Sequence, residues 1–81
     1  DWPVLAAANP RLIHCSITGF GPDGPYQNIR VYDPVIQAVS GIAASQTDKA
    51  GTPGLVRHLV ADKVTALTAA QAITAALLRR A

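Results

Sequence analysis

Lys63 to Arg80 runs without a glycine or a proline, and Val64, Leu67, Ala70, Ile73 and Leu77 recur along it on one stripe. That spacing is one face of an α-helix. Alanine fills much of the remainder, which favours the helix and allows close packing. Arg79 and Arg80 fall at the negative end of its dipole. The stretch Val64–Leu78 includes Gln71 and several threonines and is shorter than the ~20 strongly apolar residues of a membrane span, so it reads as a core helix. Whatever fold the chain adopts must pack against this element.

The rest of the chain is heavily punctuated. Asp1–Ala8 reads as a helix end or a loop, stopped at Asn9-Pro10 because the residue before a proline avoids the α region. Leu12–Thr18 is short and β-branched and reads as a strand, with Ile13, Cys15 and Ile17 on one face and Leu12, His14, Ser16 and Thr18 on the other. Gly19–Tyr26 holds three glycines and two prolines in eight residues, too dense for any regular element. Asp33-Pro34 reads as a helix start, with Asp33 as N-cap. Val35, Ile36, Val39 and Ile42 then continue an apolar face over Asp33–Ile42, and Gly41 is an end or a weak point. Ser45–Gly54 reads as a surface loop and Leu55–Val60 as a second short strand.

This order is α/β in character. Two strands do not make a stable open sheet alone, and 81 residues is about half of an ordinary domain. The expectation is therefore a part of a larger α/β domain. At 49% apolar residues the chain is not of the disordered class. Seven Lys/Arg against five Asp give a net charge of +2, suited to an anionic ligand but too small and scattered to argue for nucleic acid. The single cysteine excludes an internal disulfide framework and fits a reducing compartment, here read as the cytoplasm. The opening residues do not read as a secretory leader.

Few residues offer chemistry. His14 and Cys15 are neighbours on an expected strand and point to opposite faces, so they form no dyad, and Cys15 reads as core filler. His14 and His58 lack ligand spacing, and no metal is expected. Gly19, Gly21 and Gly24 mimic a dinucleotide fingerprint, but no helix opens directly after them, so they read as a turn. Asp62 stands between an expected strand end and the long helix. One reading makes it a helix N-cap. The other makes it a functional carboxylate at a strand C-terminus, beside a helix N-terminus that favours anions and able to attack an activated acyl group.

Three blocks carry a family resemblance. They are Asn9-Pro10-Arg11-Leu12-Ile13 through Gly24-Pro25-Tyr26, then Tyr32-Asp33-Pro34-Val35-Ile36-Gln37-Ala38-Val39-Ser40-Gly41, then Ala61-Asp62 with the Ala-rich helix to Leu78. In this order and spacing they resemble the class III CoA-transferases, whose relatives include formyl-CoA and carnitine CoA-transferases and 2-methylacyl-CoA racemase. The resemblance runs essentially end to end, so residues 1–81 are read as a partial domain, the central active-site segment of a Rossmann-like CoA-transferase. It implies transfer of CoA between an acyl-CoA and a carboxylic acid through aspartyl-anhydride and aspartyl-CoA intermediates. The family's nucleophile falls on Asp62 and its CoA-contacting segment on Arg30, Val31, Tyr32 and Asp33. Coenzyme A is the co-substrate, with no metal, and the full-length enzymes are interlocked homodimers, so the isolated segment is expected to be inactive. The racemase carries a histidine where this chain has Tyr32, which favours transferase chemistry. A racemase-like acyl-CoA enzyme, and a non-catalytic α/β segment in which Asp62 is only a helix cap, are the alternatives.

Overall fold

Proline and glycine set the helix boundaries. In the computed structural model, which describes residues 1–81, α1 covers Trp2–Ala8, with Pro3 in its first turn and an extended Asn9 after its end. Tyr32 is the N-cap of α2 (Asp33–Ser40), whose first turn contains Pro34, where a missing N–H costs nothing. Gly41 ends α2 in the left-handed conformation, φ +92°, open to glycine at little steric cost. A short α3 (Ile42–Ser45) follows directly, so the apolar run expected as one helix is broken at its glycine. The long helix, α4, spans Val60–Arg80 and begins three residues before the sequence places it.

The irregular segment between α3 and α4 is folded back on itself. Asp48 Oδ1 accepts the backbone N–H groups of Ala50 and Thr52, closing a tight turn. The Gly54 N–H then donates to the Ala43 carbonyl at 3.2 Å. This contact returns the chain to α3 and sends residues 55–59 past α2 to the start of α4. At the far end, Arg80 Nη1 donates to the Arg11 carbonyl at 2.7 Å, tying the last turn of α4 to the segment after α1. Helix α2 packs on α3 and on α4, and no other pair of helices is in contact.

The expected strands, and with them the Rossmann-like α/β arrangement, are contradicted: the four helices are joined by irregular segments with no strand or sheet. A strand exists through its ladder, not through its own propensity. No backbone–backbone hydrogen bond is made by residues 13–18, and residues 55–59 run beside a glutamine side chain instead of another strand. The alternating apolar pattern of Leu12–Thr18 therefore has nothing to face. Cys15, expected in a core, is exposed, as is Ile17 on the same side.

The molecule is flat and open, 55 × 29 × 15 Å, with a radius of gyration of 16.7 Å against about 12 Å for a compact domain of this length. The apolar stripe of α4 is uncovered, Leu67 being 72% exposed, so α4 is not a core helix within this chain. Ala43 and Ala61 are the only buried apolar residues. The other two buried residues are polar, Asp33 and Gln37, and they lie where α2 meets α4.

Candidate active site

The junction of α2 and α4 is held by hydrogen bonds, not by apolar burial. Gln37 is 1% exposed and sits one helical turn after Asp33, so both side chains leave the same face of α2. Its Nε2 donates to Asp33 Oδ2 at 2.5 Å and lies 3.2 Å from the carbonyls of both Val56 and His58. With two N–H groups and three acceptors, one proton goes to Asp33 and the other is shared between the carbonyls. Gln37 Oε1 accepts the Val56 N–H at 2.8 Å, which fixes the orientation of the amide. Every buried side-chain polar atom has a partner. Leaving one such buried partner unmatched costs about 1–3 kcal/mol, so this lattice is what holds residues 56–58 against α2.

Asp33 completes the lattice in a way its sequence position hides. It is expected to cap its own helix, but Tyr32 is the α2 N-cap and no side-chain cap bond is made there. Instead Asp33 Oδ1 accepts the backbone N–H of Asp62 at 2.7 Å. Asp62 is the third residue of α4, whose own N-cap, Leu59, has no capping side chain. Asp33 thus supplies from another helix the acceptor that an N-cap residue would normally provide. The hydrogen bond from Gln37 and those from the Asp62 and Ala61 backbone outweigh burial and hold the Asp33 carboxyl below its ordinary value of 3.8, with the nearby His58 adding in the same direction.

Asp62 is thereby released from the role of cap. Its backbone is fixed by Asp33, while its side chain is 61% exposed and pairs only with the adjacent Lys63 at 3.3 Å. That pair is itself open to water and therefore weak. The reading in which the Asp62 side chain serves only to cap its helix is corrected by this geometry.

A cleft of about 410 Å³ opens beside it. Asp62, Ala61 and Thr65 of α4 line one side, and Val31, Tyr32 and Asp33 line another, with Thr18 and Gly19 at its edge. The fold therefore brings Asp62 together with three of the four residues assigned to CoA contact. Val31 is half-buried, Tyr32 is 84% exposed and the Asp33 carboxylate is engaged by its own chain. Arg30 is exposed and lies outside the cleft lining. The glycine segment forms a turn, with the Gly21 N–H donating to Thr18 Oγ1 at 2.7 Å and Phe20 packed at 5.4 Å from Tyr26. His14 stacks on Trp2 at 5.3 Å, away from these residues.

Gly19 is the tight point of the cleft wall. A Cβ there would lie 2.5 Å from Val31 Cγ2. Gly19→Ala is expected to push Val31 aside, narrow the cleft at this wall and cost about 1 kcal/mol of stability. Thermal melts check this.

The CoA-transferase family III profile matches residues 1–81. The chain belongs to CoA-transferase family III. It is 41% identical over 78 residues to a succinate–glutarate CoA-transferase of Agrobacterium fabrum, covering 96% of this chain and 20% of that protein. It is 38% identical over 79 residues to formyl-CoA:oxalate CoA-transferases of Bradyrhizobium and of Rhodopseudomonas palustris, covering 98% of this chain and 18% of each. This family III chain thus spans about a fifth of the length of the curated relatives it matches. No solved structure matches it. No helix is long and apolar enough to cross a membrane, and no three His, Cys, Asp or Glu side chains cluster as a metal site.

Gln37 and the capping role of Asp33 are what sequence reasoning missed. A signal was available: Gln37 interrupts the apolar run Val35, Ile36, Val39 and lies four residues after an aspartate, a spacing at which side chains on a helix meet.

Proposed function

We propose that this chain is the central segment, a partial domain, of an enzyme that moves CoA between an acyl-CoA and a carboxylic acid, with Asp62 as its covalent nucleophile. The observation that carries the proposal is a solvent-open carboxylate on a cleft, attached to a backbone fixed by Asp33 and not itself spent on capping. Family membership and the named CoA-transferase relatives support the reaction class. Tyr32, standing where the racemase branch resembles this block but has a histidine, favours transfer over racemisation.

The chemistry needs no metal. The Asp62 carboxylate attacks the thioester carbonyl, a C–O bond forms and the C–S bond breaks, and CoA leaves as the thiolate. The product is a mixed anhydride. The thiolate attacks the Asp62 carbonyl of that anhydride and releases the donor acid as its carboxylate, leaving aspartyl-CoA thioester. The acceptor carboxylate then displaces the CoA thiolate to form a second anhydride. The thiolate attacks the acceptor carbonyl, giving the new acyl-CoA and free Asp62.

Coenzyme A is the co-substrate, held by the Arg30–Asp33 segment. Arg30 faces phosphate, and backbone groups of Val31, Tyr32 and Asp33 contact the nucleotide part, since the Asp33 side chain is already occupied. The exposed apolar face of α4 suits burial in the full-length homodimer, and without such cover the isolated 81 residues are inactive. A cytoplasmic setting suits the unpaired Cys15 thiol.

The test is CoA exchange by the full-length enzyme with a panel of acyl-CoAs and carboxylic acids. Ping-pong kinetics and incorporation of CoA into the acceptor are expected. Hydrolysis alone, or α-proton exchange without transfer, refutes the proposal. In the same assay Arg30→Ala is expected to raise the KM for acyl-CoA about 10-fold and to reduce its dependence on salt, as loss of a phosphate contact does. An unchanged KM and salt response removes Arg30 from the site.

A further inference from the structure

The residue most deeply buried in this chain is a glutamine, which does not itself line the cleft beside Asp62 and reaches it only through Asp33. Gln37 is 1% exposed, and its amide joins three things: the Asp33 carboxylate on its own helix, the backbone at Val56 and the backbone at His58. Asp33 in turn holds the Asp62 N–H at 2.7 Å. The chain of contacts is therefore Val56/His58 to Gln37, to Asp33, to the Asp62 backbone. It ties the segment that leads into α4 to the first turn of α4, and the only buried apolar residues in the chain are Ala43 and Ala61. So little apolar packing cannot set the place of a reacting carboxylate; directional hydrogen bonds can.

We infer that Gln37 is a positioning residue for CoA transfer, setting the place of Asp62 through the Asp33 carboxylate and the 56–58 backbone. The inference rests on Asp62 being the nucleophile. Gln37 itself meets no substrate. What it supplies is polarity: an N–H donor toward Asp33 Oδ2 and an acceptor toward the Val56 N–H. Asp33 can accept from the Asp62 N–H with its other oxygen only while it is held in this orientation.

The polarity is testable because it can be reversed. Gln37→Glu keeps an acceptor for the Val56 N–H but sets a carboxylate against Asp33 Oδ2 and against the Val56 and His58 carbonyls. At pH 8 both are ionised and repel. As the pH falls the pair takes up one shared proton and the hydrogen bond re-forms. The other titratable or charged groups around this point are Arg57 and His58 before α4 and Asp62 and Lys63 within it, and the substitution replaces none of them. In Asp33→Asn/Gln37→Glu the donor and acceptor are exchanged. The amide introduced at position 33 donates to the carboxylate introduced at position 37, and the amide oxygen still accepts from the Asp62 N–H.

The experiment measures kcat and KM for CoA transfer by full-length parent and variants between about pH 6 and pH 8, with hydroxylamine trapping of the acyl-enzyme. Gln37→Glu is expected to lose roughly 10- to 100-fold in kcat at pH 8, the effect of about 1 Å of misplacement, with KM within a few-fold of the parent. Relative to the parent, its kcat should recover as the pH falls toward 6. The double variant should recover part of the loss at pH 8, through the restored contact between positions 33 and 37, while the Val56 and His58 carbonyls still lack their donor. Parental kcat for Gln37→Glu at every pH, a loss confined to KM, or a loss that neither acid nor the double variant relieves overturns the inference. If Gln37→Glu does not fold, the double variant decides alone, and its failure to fold or to turn over also overturns it. Trapping separates this from the mechanism beneath it. A parental label on Asp62 with an unaffected Gln37→Glu sinks only the positioning role, whereas a parental label elsewhere sinks the Asp62 nucleophile and this inference with it.

Discussion

Asp62→Asn in the full-length enzyme is expected to lose CoA transfer by roughly a thousandfold or more while keeping its fold and its affinity for CoA. The amide keeps the size and shape of the side chain but is a poor nucleophile. Stability should barely move, because the carboxylate is 61% exposed and its one ion pair, with Lys63, is at the surface. A surface change of this kind stays within about 0.5 kcal/mol. The backbone N–H of residue 62, which Asp33 holds, is untouched by the substitution. Mass spectrometry after acyl-CoA and hydroxylamine should find a gain of about 15 Da on Asp62 of the parent, as OH is replaced by NHOH on an acylated carboxyl. The Asn variant should carry no label. Parental turnover by that variant, together with a label on another residue, would remove Asp62 from the reaction.

Asp33→Ala should produce the second large effect, and one of a different kind. It strips the acceptor from the first turn of α4 and leaves Gln37 Nε2 without its shortest partner. Both kcat and the melting temperature should fall: kcat by roughly 10- to 100-fold through displacement of Asp62, and the melting temperature by several degrees through loss of the cap. Asp33→Asn, which keeps an oxygen for the Asp62 N–H, should be milder in stability than Ala. The pH dependence has a definite sign. The folded-state pKa of Asp33 lies below 3.8, so its contribution to stability is complete above that pH and is lost as the pH falls through the lowered value. Thermal melts at descending pH should show the parent losing stability in acid more steeply than Asp33→Ala. Identical acid limbs for the two proteins would show that the ionised Asp33 does not hold this junction.

These two aspartates show how differently sequence and tertiary structure contribute. The sequence by itself determined α4. A long run without glycine or proline, rich in alanine, with basic residues at its end, forms a helix from local hydrogen bonds and side-chain entropy. It marked Gly41 as an end or a weak point of a helix expected to reach Ile42, and the structure makes it the end of α2, with a φ of +92°. Three ordered sequence blocks were also enough for the family resemblance, and with it the candidates Asp62 and Arg30–Asp33.

The sheet was not determined in the same way. The β-branched pattern of Leu12–Thr18 states which residues would share a face, but a ladder needs a second strand in register, and none lies beside it here. Cys15 and Ile17 are exposed for the same reason. Local sequence also assigned the caps wrongly. Asp33 and Asp62 each stand near a helix start, and propensity gives each to its own helix. Only the packing of α2 on α4 decided that Asp33 caps the other helix and that Asp62 is left free on the cleft. The cause is that the acceptor and donor lie 29 residues apart in sequence and 2.7 Å apart in space. A contact of that kind is set by how the chain returns through Gly54, Val56 and His58 to Gln37, and no local preference encodes it.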